Sequence, residues 1–425
     1  MGERARTSVE SARCVIAGGG PAGLMLGLLL ARAGVDALVL EKHADFLRDF
    51  RGDTIHPSTL EVMHELGMLD DLLALPHQKV ARISGYIGGR PIPFADFSRL
   101  PTRCRYVAFM PQWDFLRFLA ERAAAYPTFR LRMRSEVTGL IETGGRIVGL
   151  RAVTPAGPLE VRADLVVAAD GRDSRVRAAA GLAVEDLGAP MDVVWFRLSR
   201  APDDPAETMG RFGAGHALVL IDRGHYWQCG YVIPKGTLAA IQAGGLAAFR
   251  ARVARLAPFV AGRLDEIRDW SDLPVLGVRV DRLARWWRPG LLCIGDAAHA
   301  MSPIAGVGIN LAIQDAVAAA NRLARPLAEG RLAPDDLGRV ERRRRLPTRL
   351  TQRLQVLIQR RVIARVLGAE AEIAAPLPLR VIARVPLLRR LVGRLIGMGL
   401  RPEHVRTPAV HPLAPASAPP PPRAA

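Results

Sequence analysis

The stretch Arg13–Lys42, RCVIAGGGPAGLMLGLLLARAGVDALVLEK, predicts a strand, a glycine turn, a helix and a second strand. Its apolar start, Cys14–Ala17, suits a buried parallel strand. Gly18, Gly20 and Gly23 then follow the G-x-G-x-x-G spacing. In that pattern glycine allows a tight turn, close approach to a pyrophosphate, and close packing of helix on strand. We therefore expect a dinucleotide-binding turn here.

Two further features of this stretch support a dinucleotide site. Pro21 stands where a helix begins, at a position that needs no amide hydrogen. Glu41 closes the second strand about 20 residues after the glycines, where a carboxylate can accept hydrogen bonds from ribose hydroxyls. The alternatives are a glycine turn in an ordinary α/β domain and a signal peptide, since Arg4, Arg6 and Arg13 precede an uncharged run. The glycines, the proline and the acidic strand end argue against export.

The composition indicates a globular protein of a reducing compartment. With 425 residues, 49% of them hydrophobic, the chain can bury a large core and is expected to form two lobes. No other run is long and uncharged enough to span a bilayer. The cysteines lack metal-like spacing, so we predict no metal site, buried free thiols and a cytoplasmic location. They are Cys14, Cys104, Cys229 and Cys293.

The net charge of +18 raises the question of a nucleic-acid partner. Only Lys42, Lys79 and Lys235 are lysines, so arginine carries nearly all the positive charge, as in a GC-rich genome. No basic-aromatic interleaving or nucleic-acid motif is present. We therefore predict no nucleic-acid partner.

Two later segments also place polar residues at the ends of predicted strands. ADLVVAADG ends in Asp170–Gly171, and GLLCIGD ends in Asp296. α/β sheets bind ligands at such carboxyl ends. After a loop through Pro303, Gly306 and Gly308 precede a long helix, whose N-terminal amides suit an anion or an electron-rich carbonyl. The alternative is a plain strand-loop-helix crossover.

The remaining segments predict a second sheet and C-terminal helices. Alternating residues indicate strands in Val80–Tyr106 and Ala183–Arg285. Aromatic residues on these strands are more often core, and the alternative is a pocket wall for a flat substrate. From Pro334 the chain predicts basic amphipathic helices, which more often dock on the protein but can lie on an anionic membrane. From His411 a Pro- and Ala-rich tail predicts disorder. The aromatic residues in question are Tyr226, Trp227 and Tyr231.

Three ordered motifs carry a family resemblance: VIAGGGPAG…LVLEK, VVAADGRDSRVR and CIGDAAHAMSPIAGVGINLAIQDA. Together they resemble the group A FAD-dependent aromatic monooxygenases, the p-hydroxybenzoate hydroxylase-like flavoprotein hydroxylases, over about Arg13–Arg325. The resemblance implies an α/β fold with a Rossmann-like FAD-binding domain, a β-sheet substrate domain and C-terminal helices. The implied boundaries are 10–80, 105–180 and 286–330 for the FAD-binding domain, 81–104 and 181–285 for the substrate-covering sheet, 331–410 for the helices, and 411–425 for the tail.

The resemblance also implies the residues that bind FAD. The glycine turn would hold the pyrophosphate, the second strand end the adenosine ribose, the later strand ends the ribityl chain and NAD(P)H, and the last turn the isoalloxazine ring. The implied residues are Gly18, Gly20, Pro21, Ala22, Gly23, Glu41, Lys42, Arg51, Gln112, Val137, Asp170, Gly171, Asp296, Pro303, Gly306, Val307, Gly308, Ile309 and Asn310.

The activity implied by the resemblance is hydroxylation of an aromatic or quinol-like small molecule. NADPH or NADH would reduce FAD, and O2 would form the flavin C4a-hydroperoxide that hydroxylates the substrate. No second G-x-G-x-x-G is present, so NAD(P)H is expected to bind transiently. The catalytic acid or base stays unknown, since a structural role is the preferred interpretation of each candidate. These candidates are His56, His225, Tyr226 and His299.

Three alternatives share the same FAD core. A reductase of isoprenoid double bonds would suit the apolar basic C-terminal helices. A flavin halogenase would carry W-x-W-x-I-P and a catalytic lysine, but Cys229 and Tyr231 replace both tryptophans in CGYVIP. A flavin-binding protein without turnover is the third. The predicted partners are a small-molecule substrate and O2, and the protein is predicted to be a monomer or homodimer.

Overall fold

The computed structural model describes residues 7–47, 53–205, 208–371 and 374–410. Arg51, which the resemblance places against FAD, and the tail predicted to be disordered lie outside the described residues.

The described residues form both strands and helices throughout. The strands are β1 (Ser8–Ala17), β2 (Ala37–Leu40), β3 (Thr54–Ile55), β4 (Gln78–Val80), β5 (Arg82–Ile87), β6 (Arg90–Asp96), β7 (Val107–Phe109), β8 (Phe129–Arg132), β9 (Glu136–Thr143), β10 (Arg146–Thr154), β11 (Gly157–Ala168), β12 (Val184–Asp186), β13 (Met191–Ser199), β14 (Met209–Gly213), β15 (His216–Asp222), β16 (Tyr226–Pro234), β17 (Val275–Leu276), β18 (Asp281–Leu283), β19 (Trp287–Arg288) and β20 (Leu291–Cys293).

The helices lie between these strands and after them. They are α1 (Pro21–Arg32), α2 (Pro57–Glu65), α3 (Leu69–Leu73), α4 (Gln112–Ala124), α5 (Arg175–Ala179), α6 (Leu238–Ala243), α7 (Leu246–Leu256), α8 (Gly308–Ala328), α9 (Pro334–Ile358), α10 (Ala364–Leu367), α11 (Leu377–Arg384) and α12 (Pro386–Met398). Short 3₁₀ turns cover Pro258–Glu266, Trp270–Asp272, Gly295–Ala297 and Ile304–Gly306, and a π turn covers Gln359–Ile363.

The main sheet has the strand order β19-β20-β11-β1-β2-β8. From β20 to β8 its neighbours pair in parallel, which requires helical crossovers such as α1 between β1 and β2. β9 and β10 extend β11 as an antiparallel meander. The predicted strand, turn, helix and strand of Arg13–Lys42 are confirmed as β1, α1 and β2.

The second sheet has the order β17-β13-β16-β15-β14-β5-β6. Its pairs are antiparallel except for the parallel pair of β14 with β5. It therefore joins strands from 82–96 with strands from 191–276. Together with the main sheet and the C-terminal helices, it confirms the predicted α/β fold class.

Helix α8 is the central helix of the core and packs beside α1. Ile304–Ala328 is long and apolar enough to cross a membrane by length and composition, which we did not expect from the sequence. However, 72% of its apolar window is buried inside the protein, as expected of a core helix. Its N-terminus begins immediately after the glycine-containing turn, and this places the turn beside the strand ends of the main sheet.

Candidate functional site

The carboxyl ends of β1, β2, β11 and β20 meet at one edge of the main sheet because these strands are parallel. An open α/β sheet binds its ligand in the crevice outside such ends. The predicted residues that follow these four strand ends are Gly18, Glu41, Asp170 and Asp296.

In the glycine turn between β1 and α1, two of the three motif glycines stand where no larger side chain would fit. A Cβ at Gly18, whose φ is +105°, would lie 2.3 Å from the Ala169 carbonyl oxygen. A Cβ at Gly23 would lie 1.9 Å from the Gly18 oxygen. At Gly20 a Cβ would have no neighbour within 4 Å, and Pro21 is the first residue of α1. The turn thus leaves open space at a helix N-terminus, where a pyrophosphate fits.

Glu41 connects the end of β2 to the glycine turn. The carboxylate is buried, and its Oε2 accepts a hydrogen bond from the Gly19 amide at 2.9 Å. Its Oε1 accepts bonds from the His43 amide at 2.9 Å and from the His43 Nδ1 at 2.6 Å. The Ser135 amide, two residues before Val137, donates to the Glu41 carbonyl. Glu41 and the segment before Val137 are therefore neighbours, while Lys42 is exposed.

Asp170 organises the turn after β11. Its carboxylate accepts hydrogen bonds from the Ser174 hydroxyl at 2.5 Å and the Val176 amide at 3.2 Å. Burial raises the pKa of Asp170, although these donors oppose the rise. Gly171 follows with a φ of +87° that favours glycine. Arg172 reaches from this turn to within 3.4 Å of the Asp296 carboxylate, so the second and third motifs contact each other.

A fully buried ion network supports the turn at Gly295–Asp296. Asp315 on α8 accepts a hydrogen bond from the Gly295 amide at 3.1 Å. The same carboxylate lies 2.6 Å from the His299 Nε2 and 2.9 Å from the Arg344 Nε. Burial acts to raise the pKa of Asp315, but His299 and Arg344 outweigh it and the pKa is lowered. His299 is thus held as a structural partner of a buried carboxylate.

The turn before α8 is held tightly against β3. A Cβ at Gly306, whose φ is +61°, would lie 2.2 Å from the Thr54 hydroxyl oxygen. That hydroxyl donates a hydrogen bond to the Gly306 carbonyl at 2.8 Å. Ala305 has a φ of +62°, which is strained for a residue with a side chain. A Cβ at Gly308, the first residue of α8, would have no neighbour within 4 Å, so the space beside this residue is open.

Asn310 and His56 continue this network toward the C-terminal helices. The Asn310 Oδ1 accepts hydrogen bonds from the His56 amide at 3.0 Å and the Thr59 hydroxyl at 2.7 Å. The His56 ring bonds the Ile396 carbonyl on α12 at 2.8 Å. Burial lowers the pKa of His56 to about 4, although its bonds to the Ile396 and Ala305 carbonyls raise it. A neutral ring enclosed in this way positions the backbone rather than serving as a general base.

Three glutamines of the C-terminal region hold the loop before Gly306, and sequence reasoning missed them. Gln355 donates to the carbonyls of Ser302 and Ile304 at 3.0 Å each and accepts from the Ser302 amide at 3.2 Å. Gln359 donates to the Ser302 hydroxyl at 2.8 Å, and Gln352 donates to the Ala300 carbonyl at 3.1 Å. We call these three residues the glutamine ladder. Their three- and four-residue spacing was visible in the sequence, but the carbonyls they meet were not.

The face of the second sheet toward this loop follows from strand alternation. Val232 on β16 packs in one cluster with Ile304, and Gln228 bonds the Asp53 carboxylate at 2.6 Å. Trp227 and Tyr231 point to the opposite face, where they are buried against α7 and the following 3₁₀ turn. These two aromatic residues are therefore core, as the preferred interpretation predicted.

Two other aromatic residues occupy the face toward the loop. Trp195 pairs with Gly230, and a Cβ at Gly230 would lie 3.0 Å from the Trp195 ring. Phe212 packs in the same cluster as Ile304. No sequence pattern indicated that these two residues, rather than Trp227 and Tyr231, face the candidate site.

A buried ion pair joins the cofactor side of the site to the second sheet. The Asp53 carboxylate lies 2.5 Å from Arg223, and only 6% of its side chain is exposed. Because Gln228 bonds the same carboxylate, three buried polar groups satisfy one another. This contact closes one side of the space between the sheet and the loop.

The remaining predicted residues have these positions. Gln112 is the first residue of α4, as predicted, and is half-buried, while Val137 is buried in β9. His225 and Tyr226 lie at the tip of the β15–β16 hairpin, where their rings contact each other at 5.0 Å and His225 is exposed. Among the described residues, no group of His, Cys, Asp and Glu is arranged to hold a metal.

There is open space beside Gly20 and beside Gly308, whereas Gly18, Gly23 and Gly306 are closely packed. A dinucleotide-binding turn needs such a position, where the backbone can approach a pyrophosphate. The amides at the start of α8 have no carbonyl one turn earlier within the helix, so they can bond an anionic or electron-rich group. Glu41 and Asp296 lie at the strand ends where ribose or ribityl hydroxyls would be bound.

Comparison with known proteins gives concordant matches. The family model described as FAD binding domain matches residues 11–353. The 6-methylpretetramide 4-monooxygenase of Streptomyces rimosus is 33% identical over 384 residues, 90% of this chain and 91% of that protein. The rifampicin monooxygenase of Streptomyces venezuelae is 29% identical over 326 residues, and this match covers 71% of this chain and 62% of that protein. The solved anhydrotetracycline hydroxylase of Streptomyces rimosus has a TM-score of 0.71 at 26% identity, covering 91% of this chain and 76% of that one.

Proposed function

This chain belongs to the family of FAD-dependent monooxygenases that share the FAD-binding domain, and from that premise we propose that it hydroxylates an electron-rich aromatic or quinol-like small molecule. NADPH or NADH supplies the electrons and O2 the oxygen atom. The observation that carries the proposal is the open N-terminus of α8 beside the glycine turn at Gly306.

The residues of this chain bind and enclose the cofactor. The turn at Gly18–Gly23 would hold the pyrophosphate, Glu41 the adenosine ribose and Asp296 the ribityl chain. When bound, FAD supplies the redox chemistry with oxygen that the amino-acid side chains lack. The amides of Val307, Gly308 and Ile309 would stabilise negative charge on a cofactor bound in front of them, because a helix N-terminus carries a positive partial charge.

The second sheet forms the substrate side of the site. Trp195 and Phe212 are flat apolar surfaces on the sheet face toward Ile304. The buried contact between Asp53 and Arg223 excludes water from one side, and water exclusion protects a reactive oxidising species. An aromatic substrate suits this environment because flat apolar side chains can pack against its ring. The first compounds to test are 6-methylpretetramide and anhydrotetracycline, for which two relatives are named.

A flavin and oxygen assay tests the proposal. The purified full chain should be yellow or should bind added FAD, and it should oxidise NADPH or NADH faster when a phenol is present. Oxygen consumption should match the hydroxylated product formed. Failure to bind FAD under any gentle condition would overturn the proposal.

The same assay separates the alternatives that the sequence left open. NADPH oxidation without oxygen consumption would indicate a reductase of double bonds, and product formed only with bromide would indicate a halogenase. Bound FAD with no turnover on any phenol would indicate a binding protein. The relatives' names favour hydroxylation over these three. A cytoplasmic location, with the protein a monomer or homodimer, completes the proposal.

A further inference from the structure

Helix α9 is amphipathic in the opposite sense to an ordinary surface helix. The side it turns to the protein carries Arg344, Gln352 and Gln355, all buried, and buried Gln359 follows at the start of the π turn. The side it turns to solvent carries four leucines that are between 37% and 52% exposed. These residues, which we call the leucine face, are Leu346, Leu350, Leu354 and Leu357.

The leucine face is one continuous strip. At 100° per residue its four members lie within an arc of about 80°, and they extend over about 16 Å of helix. Arg343, about one turn before Leu346, and Arg339, about two turns before it, fall in the same arc. The strip of leucines therefore continues directly into a basic region on the same side of α9.

That basic region borders two adjoining concavities of about 340 and 330 Å³. Both are lined by Arg322 of α8 and Arg343 of α9. Glu403 lies in the first and pairs with Arg343 at 2.5 Å. We call this region the arginine cleft, and its other lining residues are Asn321, Arg339, Arg342, Arg401 and Arg406.

The cleft has more positive charge than its carboxylates balance. Arg339 and Arg342 pair with Asp335, and Arg343 pairs with Glu403. Across the part of the chain that the structure describes, Arg322 and Arg401 form no ion pair. Burial lowers the pKa of Arg322, and neighbouring arginines add to this effect while Glu403 opposes it. An anion in the cleft would stabilise the charged guanidinium of Arg322 and would reduce its repulsion by the neighbouring arginines.

The surrounding charge distinguishes between the possible occupants. From Asp335 to Arg406 the chain has 17 arginines against six acidic residues. A second copy of this surface would bring arginines against arginines. A surface of anionic phospholipids instead offers acyl chains for the leucines and phosphates for the arginines.

We propose that the leucine face and the arginine cleft dock this protein on an anionic phospholipid membrane. The leucines enter the boundary between headgroups and acyl chains, and the cleft receives phosphate headgroups. The opposite side of α9 holds Ser302 and Ile304, so the candidate site lies about one helix diameter, roughly 10 Å, from the membrane-facing side.

Vesicle sedimentation tests the proposal with the full chain. The protein should bind phosphatidylcholine vesicles that contain phosphatidylglycerol, and not vesicles of phosphatidylcholine alone. Leu350→Ser combined with Leu354→Ser should weaken this binding by roughly 30-fold, because two partly inserted leucines are lost. Arg322→Gln combined with Arg401→Gln should weaken it roughly 10-fold or more and reduce its salt dependence.

The control variant places one apolar-to-serine change and one arginine-to-glutamine change outside the proposed surface. Val153, 53% exposed on β10, and Arg162, exposed on β11, serve for Val153→Ser combined with Arg162→Gln. This variant should bind vesicles like the unmodified chain. Unchanged melting temperature and flavin content of all variants establish that folding is retained.

Three results would overturn the proposal. The first is that vesicle binding is absent or is unaffected by the leucine changes. The second is a dimer, measured by light scattering, that is lost with the leucines while vesicles do not bind. The third is that inorganic phosphate binds the arginine cleft while vesicles do not bind, which would assign the cleft to a soluble phosphate.

Discussion

Replacing Gln355 tests whether the glutamine ladder positions the candidate site. The change Gln355→Met keeps the length of the side chain and removes its amide group. The Ser302 amide, the Ser302 carbonyl and the Ile304 carbonyl then lose their partner at 3.0–3.2 Å. Each unsatisfied buried group costs about 1–3 kcal/mol, and the loop can shift to reduce the sum. We therefore expect a loss of about 3 kcal/mol.

That loss has a small effect on global stability and a large effect on activity. For 425 residues the unfolding entropy makes 1 kcal/mol worth about 1 °C, so the melting temperature should fall by about 3 °C. The shifted loop lies beside the α8 N-terminus, so kcat/KM should fall by up to about 100-fold. Differential scanning calorimetry and steady-state oxygen consumption measure the two effects.

Two further variants distinguish positioning from simple destabilisation. Gln314 is also buried and accepts a hydrogen bond from the Glu403 amide, so Gln314→Met should lower stability without lowering kcat. In Gln355→Glu the carboxylate faces two carbonyls, and burial raises its pKa. The protonated form can donate to one carbonyl, so activity should be highest at low pH and fall as pH rises through the raised pKa. If Gln355→Met behaves like Gln314→Met, with kcat/KM within about twofold of the unmodified chain, the ladder has no positioning role.

The remaining predictions concern the cofactor turn and two buried titratable groups. Gly20→Val should abolish FAD binding measured by flavin absorbance but keep the fold, whereas Gly139→Val, also in open space, should bind FAD normally. His56 has a pKa of about 4 against an ordinary 6.5, so its contribution, up to about 3 kcal/mol, is present above pH 6.5 and lost as pH falls toward 4. His56→Gln should reduce the change of the free energy of unfolding with pH in that window. If urea titrations at several pH values show the same pH dependence for the variant and the unmodified chain, this prediction is wrong. Burial raises the pKa of Asp204, but Arg263 and the other donors outweigh it and lower the pKa to about 2. Asp204→Asn should therefore lower the free energy of unfolding by about 2 kcal/mol at neutral pH, and by less as pH falls from 3.8 toward 2. An equal loss at pH 7 and at pH 2.5 would contradict the assignment.

The cofactor half of the site was predictable because its signals are local. A tight turn, a helix start and an acidic strand end each depend on residues close in sequence, and parallel strands bring such ends to one edge. Gly23 illustrates this, since the backbone oxygen that excludes a side chain there belongs to Gly18 in the same turn. The role of each predicted residue in binding FAD stays a prediction.

The substrate half was not predictable, because the register of two distant segments decides which side chains face it. Trp195 and Trp227 are both tryptophans on strands, and the alternation of β13 and β16 sends them to opposite faces. No local pattern distinguishes the two faces. The pairing of Trp195 with Gly230, 35 residues away, is a tertiary fact.

The sequence by itself determined the fold class, because the glycine spacing and the strand ends follow from backbone geometry within short segments. The family and the cofactor followed from the resemblance of its three motifs to a known family. Only the tertiary structure decided the orientation of α9. The sequence predicted a basic amphipathic helix here and left open what it packs against, and in the structure its glutamines lie against the carbonyls of the loop at Ser302. Buried carbonyls need donors more than that surface needs further apolar contact, and this need turned the leucines to the outside.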